Sequence, residues 1–204
     1  MSEWRLFKEG TVPEWTTPVW YAAREAAPHL EQEGHRERLL LTAEFVNSVR
    51  PDLVIDVGCG DGGLLSIINL PLDNLVGYDL QQSNVDAALE RGIVINLADV
   101  VGDQWWTKAN RDRILEYSSQ TLIVASEMLE HLIDPHAFVR QLHDSGAQWL
   151  VATSPYTETA ASHYEYHTWA WDLAGYKKML EDNGWRVVRQ ETAWISQVLL
   201  AERA

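Results

Sequence analysis

Five short apolar runs, at 53–57, 75–78, 93–96, 122–125 and 150–153, recur along the chain without the strict alternation of a half-exposed strand. Stretches with helical spacing separate or follow them, at 62–69, 83–91, 110–117, 135–145 and 172–183. Apolar strands interleaved with helices predict an α/β fold, a doubly wound and mostly parallel sheet covered on both faces. After Gly184, which suits a helix C-terminus, the runs 185–189 and 194–201 are close enough to pair as a C-terminal antiparallel hairpin, giving seven strands. Upstream, Leu39, Leu40, Ala43, Phe45 and Val46 define an amphipathic helix from His35 that ends before Pro51. Residues 1–34 carry Pro13, Pro18 and Pro28 and little periodicity, so they read as an irregular N-terminal lid with one short helix near 21–27. The remainder, 35–204, reads as one domain, a size that a single core can support.

Composition narrows the setting. Hydrophobic residues make up 46% and charged residues 23% of the 204, and no run approaches the roughly 20 apolar residues of a membrane span. The opening MSEWRLFKEG lacks a secretory pattern and Cys59 has no intrachain disulfide partner, so a cytoplasmic protein is expected. A net charge of −14 disfavours nucleic acid as a partner, because phosphate backbones are held by clustered Lys and Arg. Of ten tryptophans, seven cluster at Trp4, Trp15 and Trp20, at Trp105 and Trp106, and at Trp169 and Trp171, and serve either as packing or as a pocket wall.

Candidate chemistry starts at VIDVGCGDGG, residues 54–63, where Gly58, Gly60, Gly62 and Gly63 follow an apolar strand. Such a loop sits at the carboxyl ends of the strands, where doubly wound sheets bind ligands. Gly58 and Gly60 let a ligand approach bare backbone, and the helix expected behind them offers unpaired N–H groups to an anion. The spacing also satisfies the GxGxxG pattern of dinucleotide enzymes, with Asp79 placed for a ribose. Asp56 separates the two readings. A carboxylate two residues before the first glycine opposes a pyrophosphate but suits an ammonium group, as S-adenosylmethionine carries. That cofactor also has a ribose diol for Asp79 and an adenine amino group for Asp99, so three acids at three strand ends match three donors.

VIDVGCGDGG, GYDL, NLADV, VASEMLEHLIDP and WLVATSPY together resemble the class I S-adenosylmethionine-dependent methyltransferases over roughly residues 35–200. The resemblance implies that Asp56, Gly58, Cys59 and Gly60 line the methionine part, Asp79 and Leu80 hold the ribose, Asp99 and Val100 frame the adenine, and Ser126 joins the cofactor wall. One departure is the long link GDQWWTKANRDRILEYSSQ between the third and fourth strands, which changes how the adenine edge near Asp99 is covered.

Methyl transfer from a sulfonium needs an aligned nucleophile and, for a hydroxyl, a group that takes its proton. Candidate bases or metal ligands are Glu127, Glu130, His131, His163 and His167, with Tyr156 as a candidate acceptor contact. SEMLEH resembles the ExxEH metal segment of ubiquinone-pathway O-methyltransferases and small-RNA terminal 2′-O-methyltransferases, and HTWAW resembles the HxFxW segment of the latter. On a helix, Glu127, Glu130 and His131 would share one face, and with His167 they would form a four-ligand site for a divalent metal. Glu127, His131 and His167 are the expected catalytic residues. The expected reaction is O-methylation of a small hydroxyl-bearing metabolite, with RNA termini as the alternative acceptor and a non-catalytic cofactor-binding protein as the second alternative.

Overall fold

Along β2 (Leu53–Val57), alternate residues face opposite layers: Leu53, Ile55 and Val57 join one buried cluster and Val54 the other. That double burial is why the strand reads as an unbroken apolar run. The structure is a computed structural model that describes residues 2–102 and 120–204. Beside β2 run β3 (Leu75–Asp79), β4 (Ile95–Leu97), β5 (Thr121–Ser126) and β6 (Trp149–Pro155), all parallel. β8 (Trp185–Ala193) and β9 (Ser196–Arg203) complete a seven-stranded sheet of order β4-β3-β2-β5-β6-β9-β8, with β9 antiparallel to both neighbours. The order reverses between β2 and β5, which opens the crevice used below.

On one face pack α4 (Pro135–Asp144) and α5 (Leu173–Glu181), through Phe138, Val139, Leu142, Tyr176, Met179 and Leu180. The other face is covered by α2 (Glu33–Ser48), through Leu39, Ala43, Phe45 and Val46, and by α3 (Gln82–Glu90), through Ala88. No helix among the described residues is long and apolar enough to cross a membrane.

Two local expectations change. The helix expected at 62–69 is reduced to a single 3-10 turn, Leu65–Ile67, after which Ile68 is already extended. Gly62 takes φ 71°, outside the helical region, and Pro71 closes the segment, so burial of Leu64, Leu65 and Ile68 is met without a helix. The third strand lies at Ile95–Leu97, two residues later than its apolar run, and leaves Val94 exposed. The helix expected at 110–117 lies outside the described residues, as do Trp105, Trp106 and most of the long link.

The N-terminal segment has more order than its sequence pattern indicates. β1 (Glu3–Arg5) pairs antiparallel with β7 (Trp169–Trp171), and Glu3 Oε2 accepts a hydrogen bond from Trp171 Nε1 at 2.6 Å. Trp169 and Trp171 are buried packing residues. α1 (Pro18–Ala22) starts at Thr17, whose side chain accepts from Trp20 N, with Pro18 at the first helical position, and it ends well before residue 27.

Candidate active site

The chain leaves β2 through Gly58, whose N–H, with that of Cys59, donates to Tyr78 O on β3 at 2.8 and 3.0 Å. Gly58 has φ 73°, and a Cβ there would lie 3.2 Å from Met128 Cγ. Gly60 has φ 55°, and a Cβ there would project into open space. That space is a cavity of about 530 Å³ at the carboxyl ends of β2, β3, β4 and β5, within the range of cofactor-sized pockets. Asp56, Gly58, Cys59, Gly60, Asp79, Leu80, Asp99, Val100 and Ser126 all stand in its wall.

Each acid at the strand ends has a distinct environment. Asp56 is 1% exposed, its Oδ1 has no hydrogen-bond partner, and burial pushes its carboxyl up to about 7, with Asp79 adding to the rise and Arg38 opposing it. Asp79 Oδ2 accepts from Gly60 N at 2.9 Å, while Oδ1 accepts from Gln81 N and Asn84 Nδ2, both at 2.9 Å. Burial raises the Asp79 carboxyl and these donors pull it back. Asp99 Oδ1 accepts from Val101 N at 3.0 Å and Gly102 N at 3.3 Å, closing the turn after β4. Asp61, beside the glycines, is bound instead by Arg91 NH2 at 2.7 Å and braces the loop to α3. Burial raises the Cys59 thiol well above its ordinary range, so the protonated thiol serves as wall and not as nucleophile.

A family model described as a methyltransferase domain matches residues 29–190. The chain belongs to the class I S-adenosylmethionine-dependent methyltransferases. Among solved structures, the methyltransferase is similar to the N-methyltransferase NodS from Bradyrhizobium japonicum in complex with S-adenosyl-L-homocysteine, with TM-score 0.69 and 14% identity over 93% of this chain and 97% of that one. The magnesium protoporphyrin IX methyltransferase of Synechocystis, with bound S-adenosylhomocysteine, gives TM-score 0.62 and 16% identity over 90% and 91%. The methyltransferase domain of bacterial CtHen1-C gives TM-score 0.60 and 19% identity over 83% and 98%. At these identities the likeness is one of fold. No curated protein sequence matches the chain significantly. S-adenosylmethionine is therefore the cofactor, and the cavity suits it. It presents a buried carboxylate at Asp56 whose Oδ1 has no hydrogen-bond partner, an open approach at Gly60 and further acids at β3 and β4.

The expected metal group assembles in part. Glu130, His131 and His167 each bring one potential ligand atom, all within 4.8 Å of one another. They do not share a face of an α-helix: Leu129–His131 is a 3-10 turn, and His167 arrives from the segment before β7. Glu127 does not join them. Its backbone adopts φ 51°, and its Oε1 accepts from Thr153 Oγ1 at 2.9 Å and lies 3.6 Å from Arg38 NH1. A positive φ in a residue with a side chain stores strain of about 1–3 kcal/mol, which the two bonds from Glu127 N to Thr153 help to hold.

Glu130 is 1% exposed and neither carboxylate oxygen has a hydrogen-bond partner, so burial drives its carboxyl up to about 8, opposed by Arg38 and by the nearby Ser154 hydroxyl. His131 Nδ1 lies 3.1 Å from Tyr166 O, and burial, with His167 beside it, lowers its imidazole to about 3. His167 Nδ1 lies 2.6 Å from Glu158 Oε2. With Nδ1 protonated on each ring, each Nε2 keeps its lone pair. His131 also stands in the cavity wall, whereas Glu130 and His167 lie behind it. His163 is exposed and bonded to Thr159 O, and Tyr156 is half-buried outside the wall; neither joins the group.

Several wall residues carry no sequence motif. Tyr21, Arg24 and His29 come from the N-terminal segment, and Arg38 comes from α2. Tyr21 packs edge-on to His131 with ring centroids 5.9 Å apart, and Trp20 meets Tyr166 at 4.8 Å, so the N-terminal aromatics cover the imidazole side of the cavity. Arg38 did leave a signal. It falls on the apolar stripe of α2, one turn before Thr42 and two before Phe45, where a charged residue has no packing role.

Proposed function

We propose that this methyltransferase methylates an oxygen of a small hydroxyl-bearing acceptor that enters beside His131, under Tyr21 and Trp20, and that Glu130, His131 and His167 hold a divalent metal ion there. The observation that carries the proposal is the Glu130 carboxylate, buried without a hydrogen-bond partner beside two imidazoles. A buried carboxylate is stable as an anion only when paired, and a cation between it and two nitrogen lone pairs would supply the pairing. The Nδ1 contacts of His131 to Tyr166 O and of His167 to Glu158 orient the rings as outer partners of metal-bound imidazoles do. One carboxylate with two imidazoles suits Mn²⁺, Fe²⁺, Co²⁺ or Zn²⁺ better than an all-oxygen Mg²⁺ site.

When bound, S-adenosylmethionine supplies a methyl group on an activated sulfonium, and the metal supplies Lewis acidity that lowers the pKa of a hydroxyl. The chain's own residues would do the rest. Asp56 would pair with the cofactor ammonium, Asp79 would accept from the ribose hydroxyls, and Leu80, Asp99 and Val100 would frame the base. The glycine loop, with Cys59 and Ser126, would shape the methionine channel. With a metal bound, the Nε2 lone pair of His131 would be one of its ligands and the proton of the acidified hydroxyl would leave to solvent; without the metal, His131, a neutral imidazole in the cavity wall, would accept that proton at Nε2. Glu127 would act at a distance by holding Arg38. Residues 1–34 would exclude water from the acceptor side.

The deciding experiment combines elemental analysis with transfer from labelled S-adenosylmethionine to a metabolite extract, before and after chelation. Bound metal and chelation-sensitive labelling of an ether or ester oxygen are expected. Full activity in metal-free protein would dispose of the metal and leave His131 or His167 as the base. RNA termini remain the second reading, because the residues that converge are those of the ExxEH and HTWAW segments; the charge of −14 weighs against it. Small RNA added to the same assay decides it.

A further inference from the structure

Arg24 follows α1 in the N-terminal cover and stands exposed in the cavity wall. Acids outnumber bases 30 to 16 in this chain, and Arg5, Arg38, Arg91, Arg186 and Arg189 each meet a carboxylate. Among the described residues no ion pair or side-chain hydrogen bond engages the Arg24 guanidinium. It is nevertheless held in place. Arg24 N donates to Tyr21 O at 3.0 Å, and Arg24 O accepts from Ser83 Oγ at 2.9 Å, which ties the residue to α1 and α3. The guanidinium carbon lies 4.8 Å from the Trp20 ring centroid and 5.9 Å from that of Tyr21. Contact with the faces of two aromatic rings restrains a guanidinium while using none of its N–H donors.

The acceptor side is close by. The Tyr21 ring centroid is 5.9 Å from the guanidinium carbon and 5.9 Å from the centroid of His131, so the two groups lie within twice that distance of each other. Tyr21 adds a second donor, because its hydroxyl is buried in the same wall without a hydrogen-bond partner and burial keeps it protonated. Arg38, the other Lys or Arg of the wall among the described residues, is buried and already meets Ser126 and Glu127. A single exposed cation with a neighbouring hydroxyl fits one anionic group, whereas a nucleic-acid backbone is held by several cations.

We infer that the acceptor is a small hydroxy acid, and that Arg24, with the Tyr21 hydroxyl, binds its carboxylate or phosphate group while its hydroxyl stands at His131. This rests on the acceptor site proposed above and names the class of molecule that enters it. In the transfer the hydroxyl oxygen bonds to the methyl carbon as the sulfonium carbon–sulfur bond breaks, and the hydroxyl proton leaves as described above. The anion at Arg24 does not react. The product is therefore a methyl ether that keeps its negative charge, released with S-adenosylhomocysteine.

Two arms test this. In the first, a metabolite extract is split on an anion exchanger and each fraction is offered labelled S-adenosylmethionine. Label is expected in the retained fraction alone, on a product that is still retained, stable to base and insensitive to nuclease. Phosphatase then tells a phosphate, whose product loses its retention, from a carboxylate, whose product keeps it. Arg24→Gln should lower labelling by about tenfold or more at limiting acceptor, recovering as the fraction is concentrated, because the contact is remote from the reacting atoms; Arg24→Lys should keep part of the activity. Affinity for S-adenosylhomocysteine should be unchanged in both variants. Label in the neutral fraction, a base-labile ester, a nuclease-sensitive product, or full labelling by Arg24→Gln would overturn the inference. A loss of S-adenosylhomocysteine affinity that matches the loss of labelling would give Arg24 to the cofactor and overturn it as well. In the second arm, protein loaded with S-adenosylhomocysteine is titrated with meta-hydroxybenzoate against meta-hydroxybenzamide, and with glycerol phosphate against glycerol. At least one acid should bind about tenfold more tightly than its neutral partner, and Arg24→Gln should erase that preference. If wild type labels neither fraction, the O-methyltransfer reading fails, and this binding arm still decides Arg24: no preference for either acid, or a preference that survives Arg24→Gln, refutes its role.

Discussion

Replacing Asp56 by Asn should move stability and affinity in opposite directions. In the ligand-free protein Asp56 is 1% exposed, its Oδ1 lacks a partner, and its carboxyl is pushed from 3.8 up to about 7. The native carboxyl therefore keeps its proton to about pH 7 while the unfolded one releases it near 3.8, so wild-type stability is highest below 3.8 and is lost as pH rises through that window. At 1.36 kcal/mol per pH unit the full loss is about 4 kcal/mol. Asn removes the titration but leaves its own amide donors poorly matched, at a cost of about 1–3 kcal/mol. The ligand-free variant should therefore gain about 1–3 kcal/mol at about pH 8, a rise in Tm of roughly 3–10 °C, and gain nothing near pH 4. Affinity for S-adenosylmethionine should fall by about 100-fold with the loss of a buried ionic partner for the ammonium. In wild type the same affinity should weaken below about pH 7, by up to about tenfold per unit, as protonation of Asp56 competes with the ligand. Scanning calorimetry of the ligand-free proteins and isothermal titration across pH test both arms. An Asn variant that is no more stable than wild type at the higher pH, or that binds with unchanged affinity, would refute the assignment of a strained, ligand-directed carboxylate.

Asp79→Ala should weaken S-adenosylmethionine binding by about 1–3 kcal/mol, read by titration, since it removes an acceptor for ribose and frees the Gly60 amide it now holds. Gly60→Val should abolish binding, because its side chain would enter the cavity and φ 55° is barred to a β-branched residue; wild-type affinity in this variant would void the loop assignment. Deleting residues 1–20 should abolish transfer while cofactor affinity falls by only a small factor, because the glycine loop and strand-end acids are untouched. The truncation should also lower Tm, because β1 covers Trp171 and Ser2 O packs against Gly175; unimpaired transfer would show that the segment does not serve the acceptor side.

How much of this could be read from the residues follows from the range of the forces involved. β2, β3, β5 and β6 were legible because a strand buried on both faces must be apolar at every position, and that condition is local. The loop was legible for a related reason. Positive φ at Gly58 and Gly60 and an acid two residues earlier are properties of ten consecutive residues. The segment behind the loop was not legible in the same way. Its helical spacing is real, but Gly62 and Pro71 weaken the helix while burial of Leu64, Leu65 and Ile68 satisfies the core without one.

What only the tertiary structure decided are pairings between distant residues. Short β1 has no pattern of its own and exists because β7, far along the chain, offers an edge. Glu127 and Glu130 stand three apart in one motif, yet the turn at φ 51° sends the first to Arg38 and Thr153 and leaves the second buried with His131 and His167. Glu158 gains a role only because folding brings it to His167, and Arg38 only because α2 lies against the end of β5, 88 residues away, at Ser126. Spacing along a chain constrains contacts within a few turns. Beyond that, the packing of whole elements determines which charges meet, and that is where this active site obtains its carboxylates and its buried arginine.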